Sequence, residues 1–202
     1  MSLLSLLVGV LLLNGVGQVT SKAIHSFAGP YIAFVHTVFP CPSLRLAEVS
    51  VRASHFNPLK PFDKQTVQGY ARSSYNVTDN FLTKVTMAVR SNNQWKENAF
   101  VFTFPNSGCT AIRDHLPDLF RVIAKHSGAS MNKKDPCLIP GGSYKFKNES
   151  VSWTAPHFPV MPYGRYKFHM AAYFMNLTKA EAEPRFCVSC DCEIVPKPIA
   201  DP

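Results

Sequence analysis

Along this chain apolar and polar residues alternate with a period of two far more often than with a helical period. Phe81, Thr83, Val85, Met87 and Val89 alternate with Leu82, Lys84, Thr86, Ala88 and Arg90, which predicts a strand with one face buried. The same alternation recurs in Ala47-Val49-Val51-Ala53 and in Phe100-Phe102-Phe104. It recurs again where Tyr166, Phe168, Met170, Ala172 and Phe174 oppose Arg165, Lys167 and His169. Beyond Ala171 both faces of that last segment are apolar, so its far half is expected to be covered on two sides. In the stretch from Tyr144 to Trp153 the apolar parity switches: Tyr144 and Phe146 are even, Val151 and Trp153 odd. The switch predicts either a bulge near Asn148, turning that residue outward, or two short strands meeting at a bend.

One segment has a helical period. Ile112, Leu116, Leu119, Phe120 and Ile123 fall on one face, Lys125 and His126 sit in the last turn, and Gly128 follows as a C-terminal cap. Pro117 either opens this helix at its first position or kinks a longer one that starts near Thr110. Seven or eight short strands, Pro-containing turns and one cysteine-bracketed helix predict an all-β fold. It is expected to be a two-sheet immunoglobulin-like sandwich or cup with one short helix, stapled by disulfides.

The first residues stand outside this pattern. Leu3 to Leu13 read LLSLLVGVLLL, and Gly15-Val16-Gly17 follow with small residues where a signal peptidase cuts, so residues 1–17 are expected to be a signal peptide. The run is too short for a membrane anchor, which needs about 20 apolar residues. Residues 18–202 are then expected to form a single β-sandwich domain with a short C-terminal tail, secreted and extracellular. An oxidising route changes the reading of Cys41, Cys109, Cys137, Cys187, Cys190 and Cys192, an even set that favours three disulfides. The Cys187–Cys192 cluster lacks the second CxxC or HxxxH that a zinc finger needs, so neither a metal nor a cofactor is expected. Six cysteines allow about 15 connectivities. We expect Cys109 to pair with Cys137 around the helix, and Cys41 with one of the C-terminal three. Sequons at Asn76, Asn148 and Asn176 point to a glycoprotein.

Composition narrows the function classes. Charged residues make up only 17 % of 202 residues, which excludes charge-driven disorder, and no collagen, heptad or solenoid repeat is present. The net charge is +8, unevenly spread: residues 22–167 hold 18 basic and 8 acidic groups, while the C-terminal remainder is net acidic. A cationic body attracts anionic headgroups, acidic glycans or receptor surfaces at long range. Nucleic acid is not an expected partner of a secreted chain that lacks any RNA-binding or zinc-finger signature. Catalysis is not expected either, since there is no Gly-x-Ser-x-Gly elbow, His-Glu-x-x-His pair or phosphate-binding Gly loop.

Two stretches carry a resemblance. Cys109-Thr-Ala-Ile followed by a helix, then Cys137-Leu-Ile-Pro-Gly-Gly-Ser-Tyr144 with Asn148, then Met161-Pro-Tyr-Gly-Arg-Tyr-Lys-Phe168, resembles insect secreted proteins of the ML lipid-recognition superfamily. CheB-type chemosensory proteins and, further off, the ganglioside activator belong to this group. The likeness spans roughly residues 75 to 192, and Leu138 stands where the group usually has Pro. It implies a cup whose two sheets part at one end to hold an acyl chain or another apolar ligand, with presentation to a membrane receptor as a further step. Val85, Met87, Val89, Phe100, Phe102, Phe104, Phe168, Met170 and Phe174 are the candidate inward contacts. Phe158, in the stiff loop Pro156–Pro162, is a tenth that either tucks under its loop or lies at the mouth. Lys145, Lys147, Arg165 and Lys167 are candidates for holding an anionic head. The competing reading is an interaction module with a filled core, acting through its cationic surface.

Overall fold

The computed structural model describes residues 27–41, 46–174 and 184–198. The expected signal peptide and the Asn176 sequon lie outside these residues. The chain builds β1 (Ala28–Gly29), β2 (Tyr31–Pro40), β3 (Ala47–Ala53), β4 (Gln65–Ser73), β5 (Val77–Thr78), β6 (Phe81–Ser91) and β7 (Gln94–Phe104). Helices α1 (Gly108–His115) and α2 (Pro117–Ser127) follow, then β8 (Leu138–Ile139), β9 (Gly142–Val151), β10 (Met161–Pro162), β11 (Gly164–Phe174) and β12 (Phe186–Pro196). Two larger antiparallel sheets result, ordered β2-β12-β11-β6-β7 and β3-β4-β9, with two-stranded pairs β1-β10 and β5-β8 beside them. This is the expected all-β sandwich.

The single helix is corrected to two. Pro117 lacks an N–H and constrains the residue before it, and Leu116 accordingly leaves helical geometry at φ −130°, ψ 61°. The turn starting at Gly108 therefore closes as its own helix, and Pro117 opens α2 at its first position. Gly128 ends α2 in the left-handed conformation, φ 76°, its N–H donating to the Ala124 carbonyl as its place in the sequence implied.

Helix α2 is buried on two sides, which explains why its apolar stripe is wide. Phe120 and Ala124 pack with Cys109, Cys137, Ala129 and Ile139, while Val122 joins Val67, Phe146 and Val151 on the inner face of β4 and β9. Asp118 in its first turn accepts from the Ser152 N–H at 2.7 Å, Lys64 at 3.0 Å and Arg121 at 2.9 Å. Glu149, buried on β9, accepts from Lys125 at 2.7 Å and His126 at 2.8 Å near the last turn. These carboxylates tie both ends of α2 to the smaller sheet. Burial pushes the Asp118 carboxyl up, but its donors outweigh that and hold it below the usual carboxylate range.

The parity switch in β9 resolves as a bulge. Its register against β4 shifts between Val67 and Gly69, and Asn148 adopts φ 52° with its side chain exposed. The sequon residue Asn76 is exposed as well.

Two disulfides form. Cys109–Cys137 brackets the helices with Cα atoms 5.6 Å apart, and Cys41–Cys187 joins the end of β2 to β12 at 5.7 Å. The expected third bridge does not form, because Cys190 and Cys192 are neighbours on one face of the same extended strand and remain thiols. Two strand residues advance about 6.6 Å with parallel Cβ vectors, at the upper edge of what a bridge spans. The Cys190 sulfur beside it and then burial push the Cys192 thiol far up, so it stays protonated. Among the described residues no helix is long and apolar enough to cross a membrane.

Candidate functional site

Strand pairing brings most of the candidate residues onto one face of the larger sheet. Met170 pairs with Val85 and Val85 with Phe102; in the next row Phe168 pairs with Met87 and Met87 with Phe100. Val89 lies one step further against Tyr166, and Phe104 lies at the other end against Thr83. The result is a continuous ring-and-thioether band across β11, β6 and β7. Met87 is fully covered, at 1 % exposure, while Val85, Val89, Phe100, Phe102, Phe104, Phe168 and Met170 are half-buried. The inward parity expected for Val85, Met87, Phe102 and Phe168 is therefore found. Tyr31 and Val35 on β2 and Cys192 and Ile194 on β12 continue the band across the same sheet, and Ala53 and Trp153 pack on it from the smaller sheet's side.

Phe174 departs from the expectation. It is 38 % exposed and leaves the band to stack on Phe81 at 4.6 Å, beside Tyr75. Ala171 and Ala172 just before it are buried, so two-sided cover reaches only the middle of that half-strand. Ala171 is covered on the outer side where it pairs with the disulfide residue Cys187.

Sheet packing is asymmetric. β3 runs beside β2 and β12, so the sheets are close on that side; elsewhere α2 lies on β9 and α1 on β5 and β6. The loop Pro156–Pro162 closes over the β7 edge. Phe158 tucks against Phe102, with ring centres 5.4 Å apart, and against His115 at 5.5 Å, while Met161 joins the core. Of the three apolar side chains Phe158, Val160 and Met161 it carries, Val160 points outward, at 54 % exposure.

Two spaces beside the sheets can be described, and both are small. An almost wholly apolar cleft of about 10 Å³ lies among Phe81, Met170, Ala172, Ile112 and Phe186; it scarcely admits one water. A groove of about 210 Å³ is lined by Phe34, Phe56, Phe62, Trp153 and Lys64 among others. Of the ten candidate ligand contacts only Met170 borders either space. Both fall below the roughly 300 Å³ of a usual small-molecule pocket.

The four cations singled out for an anionic head do not converge on the interior. Arg165 forms a two-point pair with Asp191 at 2.8 and 2.7 Å, Lys167 lies over the Trp95 ring at 4.7 Å, and Lys145 and Lys147 are exposed on β9. Their parity is opposite to that of Tyr166, Phe168, Tyr144 and Phe146, so strand geometry sends them outward.

Sequence reasoning missed the histidines beside the loop. His115, at the end of α1, contacts Phe104 at 4.9 Å and the His157 ring edge-on at 5.1 Å, and its buried Nδ1 has no partner. Burial and then the neighbouring His157 push its protonation to lower pH, against an opposing pull from Asp114, which itself pairs with Lys133 at 3.1 Å. A histidine whose folded state prefers the neutral form adds stability that is fully present above its ordinary value near 6.5 and is lost as pH falls through it. Thermal midpoints of the wild type should thus fall between pH 7.5 and 5.5, and His115→Phe should fall less. Equal slopes for the two proteins would remove His115 from the closure of the loop. Asp118 and Glu149, both held low, act only below this window.

Compared with known protein families and with curated proteins, the chain matches no family model and no curated protein.

Proposed function

We propose that the protein is a secreted glycoprotein that binds and shields a lipid or other small apolar ligand between its two β-sheets. The observation that carries the reading is the band itself: seven inward apolar side chains keep partial exposure on a sheet face whose partner sheet is close on one side only. A filled core would cover such rings completely, since each fully buried large side chain gains about 1.5 to 3 kcal/mol. Secretion rests on the N-terminal apolar run, the exposed sequon residues Asn76 and Asn148, and the two closed disulfides. Presentation to a membrane receptor in chemosensation, and membership of an insect ML-type family, rest on the motif resemblance alone.

The small size of the present spaces means that a ligand enters by displacing something. The Pro156–Pro162 loop is the element to move, because it is hydrogen-bonded into a sheet only through the two residues of β10. The same small volumes favour the competing reading, an interaction module with a filled core. Titration with saturated fatty acids of increasing length separates the two. Apolar burial at about 0.8 kcal/mol per CH2 predicts that affinity rises up to fourfold per methylene until the space is full. No binding, or binding without length dependence, leaves the interaction module.

A further inference from the structure

We infer that Cys41, His169 and Cys187 form a redox-gated zinc site: a disulfide when oxidised, and a three-ligand Zn2+ centre once that bond is reduced by a dithiol. The inference is independent of the lipid reading and departs from the sequence expectation of no metal. Its three donor atoms come from different parts of the chain. Cys41 follows β2, His169 is on β11, and Cys187 is at the start of β12. Pairing of β11 with β12 sets Ala171 opposite Cys187 and His169 opposite Ser189, so the imidazole lies alongside the bridge. The donor atoms all lie within 4.8 Å of one another, and no other group of three or more such residues does so among the described residues.

The distances suit zinc. With Zn–S near 2.3 Å and Zn–N near 2.0 Å at a tetrahedral angle, a bound sulfur and nitrogen lie about 3.6 Å apart. Cys187 Sγ is 3.8 Å from both ring nitrogens of His169 in the oxidised protein. Two zinc-bound sulfurs lie about 3.8 Å apart, so the cysteines need only swing apart by about 2 Å once unbridged. The remaining imidazole nitrogen is also placed: His169 Nδ1 is 2.9 Å from the Ser189 hydroxyl, the outer hydrogen bond that fixes tautomer and ring angle in histidine metal sites. That leaves Nε2 for the ion. His169 is exposed and Cys41 half-buried, so the fourth position is open to water.

The chemistry balances. A thiolate of the dithiol attacks the more accessible Cys41 Sγ, the S–S bond breaks, and Cys187 leaves as a thiolate that takes up a proton. The second thiol of the reductant then displaces Cys41, so the reductant ends as a disulfide and two electrons have passed to the protein. Zn2+ binding releases the two thiol protons. The other bridge is shielded from this reaction, since Cys109 is inaccessible and Cys137 nearly so.

The test uses the full chain, oxidised or mildly reduced with a phosphine, which becomes its oxide, and titrated with Co2+ and Zn2+. Expected are a thiolate-to-cobalt charge-transfer band only after reduction, its displacement by Zn2+, and zinc protection of Cys41 and Cys187 against alkylation, read by peptide mass. His169→Gln should weaken zinc tenfold or more while leaving the oxidised fold unchanged, and Cys41→Ser should abolish the band. If zinc protects Cys190 and Cys192 instead, or His169→Gln binds as tightly as wild type, the assignment falls. The protection readout on wild type stands even if a variant fails to fold.

Discussion

Gly69→Ala is expected to be among the most damaging single substitutions in this protein, costing about 4 kcal/mol or more. Gly69 sits in mid-β4 at φ 138°, where a side chain is strained by about 1 to 3 kcal/mol. A Cβ placed there would lie 2.1 Å from the Ser50 carbonyl oxygen and 2.8 Å from Val51 Cα. Both are backbone atoms of the paired strand β3, so relief requires the strands to part. Against a total stability of about 5 to 15 kcal/mol, such a loss removes between about a quarter and most of it. Urea denaturation checks it: a midpoint close to wild type would mean that the close approach of β3 and β4 is not needed.

Phe120→Ala should cost about 3 to 5 kcal/mol through the cavity it leaves. Its ring is completely buried between α2 and the Cys109–Cys137 bridge, against Ala124, Ala129 and Ile139. The bridge and the two helix ends hold these neighbours in place, so the site cannot collapse onto the missing ring. Phe120→Leu should recover most of the loss. A midpoint shift below about 1 kcal/mol for the alanine variant would show that the helix layer repacks freely.

How much was legible in the sequence follows from where the period of two survives. In β6 it holds from Phe81 to Met87, with Phe81, Thr83 and Met87 buried, and breaks only at Ala88, which is buried as well. β2 hides its nature because Phe34 and Val35 are adjacent and both buried: Phe34 stacks on Phe56 at 4.0 Å on the outer face, and the register against β12 skips His36. β12 is masked differently. Cys187 and Asp191 are buried on the outer face by a disulfide and an Arg165 pair, while Cys192 and Ile194 are buried within. The aromatic band was readable because it needs only parity and antiparallel neighbours. The His115–His157 contact and the His169–disulfide contact were not, since each joins segments more than 15 residues apart through tertiary packing that no local pattern encodes.

Native mass spectrometry of the protein secreted from eukaryotic cells tests the apolar-ligand proposal most directly. The expected spectrum at neutral pH contains a species heavier than the glycosylated polypeptide by the mass of one lipid-like molecule. That mass should be lost on organic extraction and regained with an added long-chain fatty acid, and Phe102→Arg, which places a charge in the band, should prevent the regain. A spectrum showing only polypeptide and glycan, before and after exposure to excess fatty acid, would contradict the proposal and leave a filled-core interaction module.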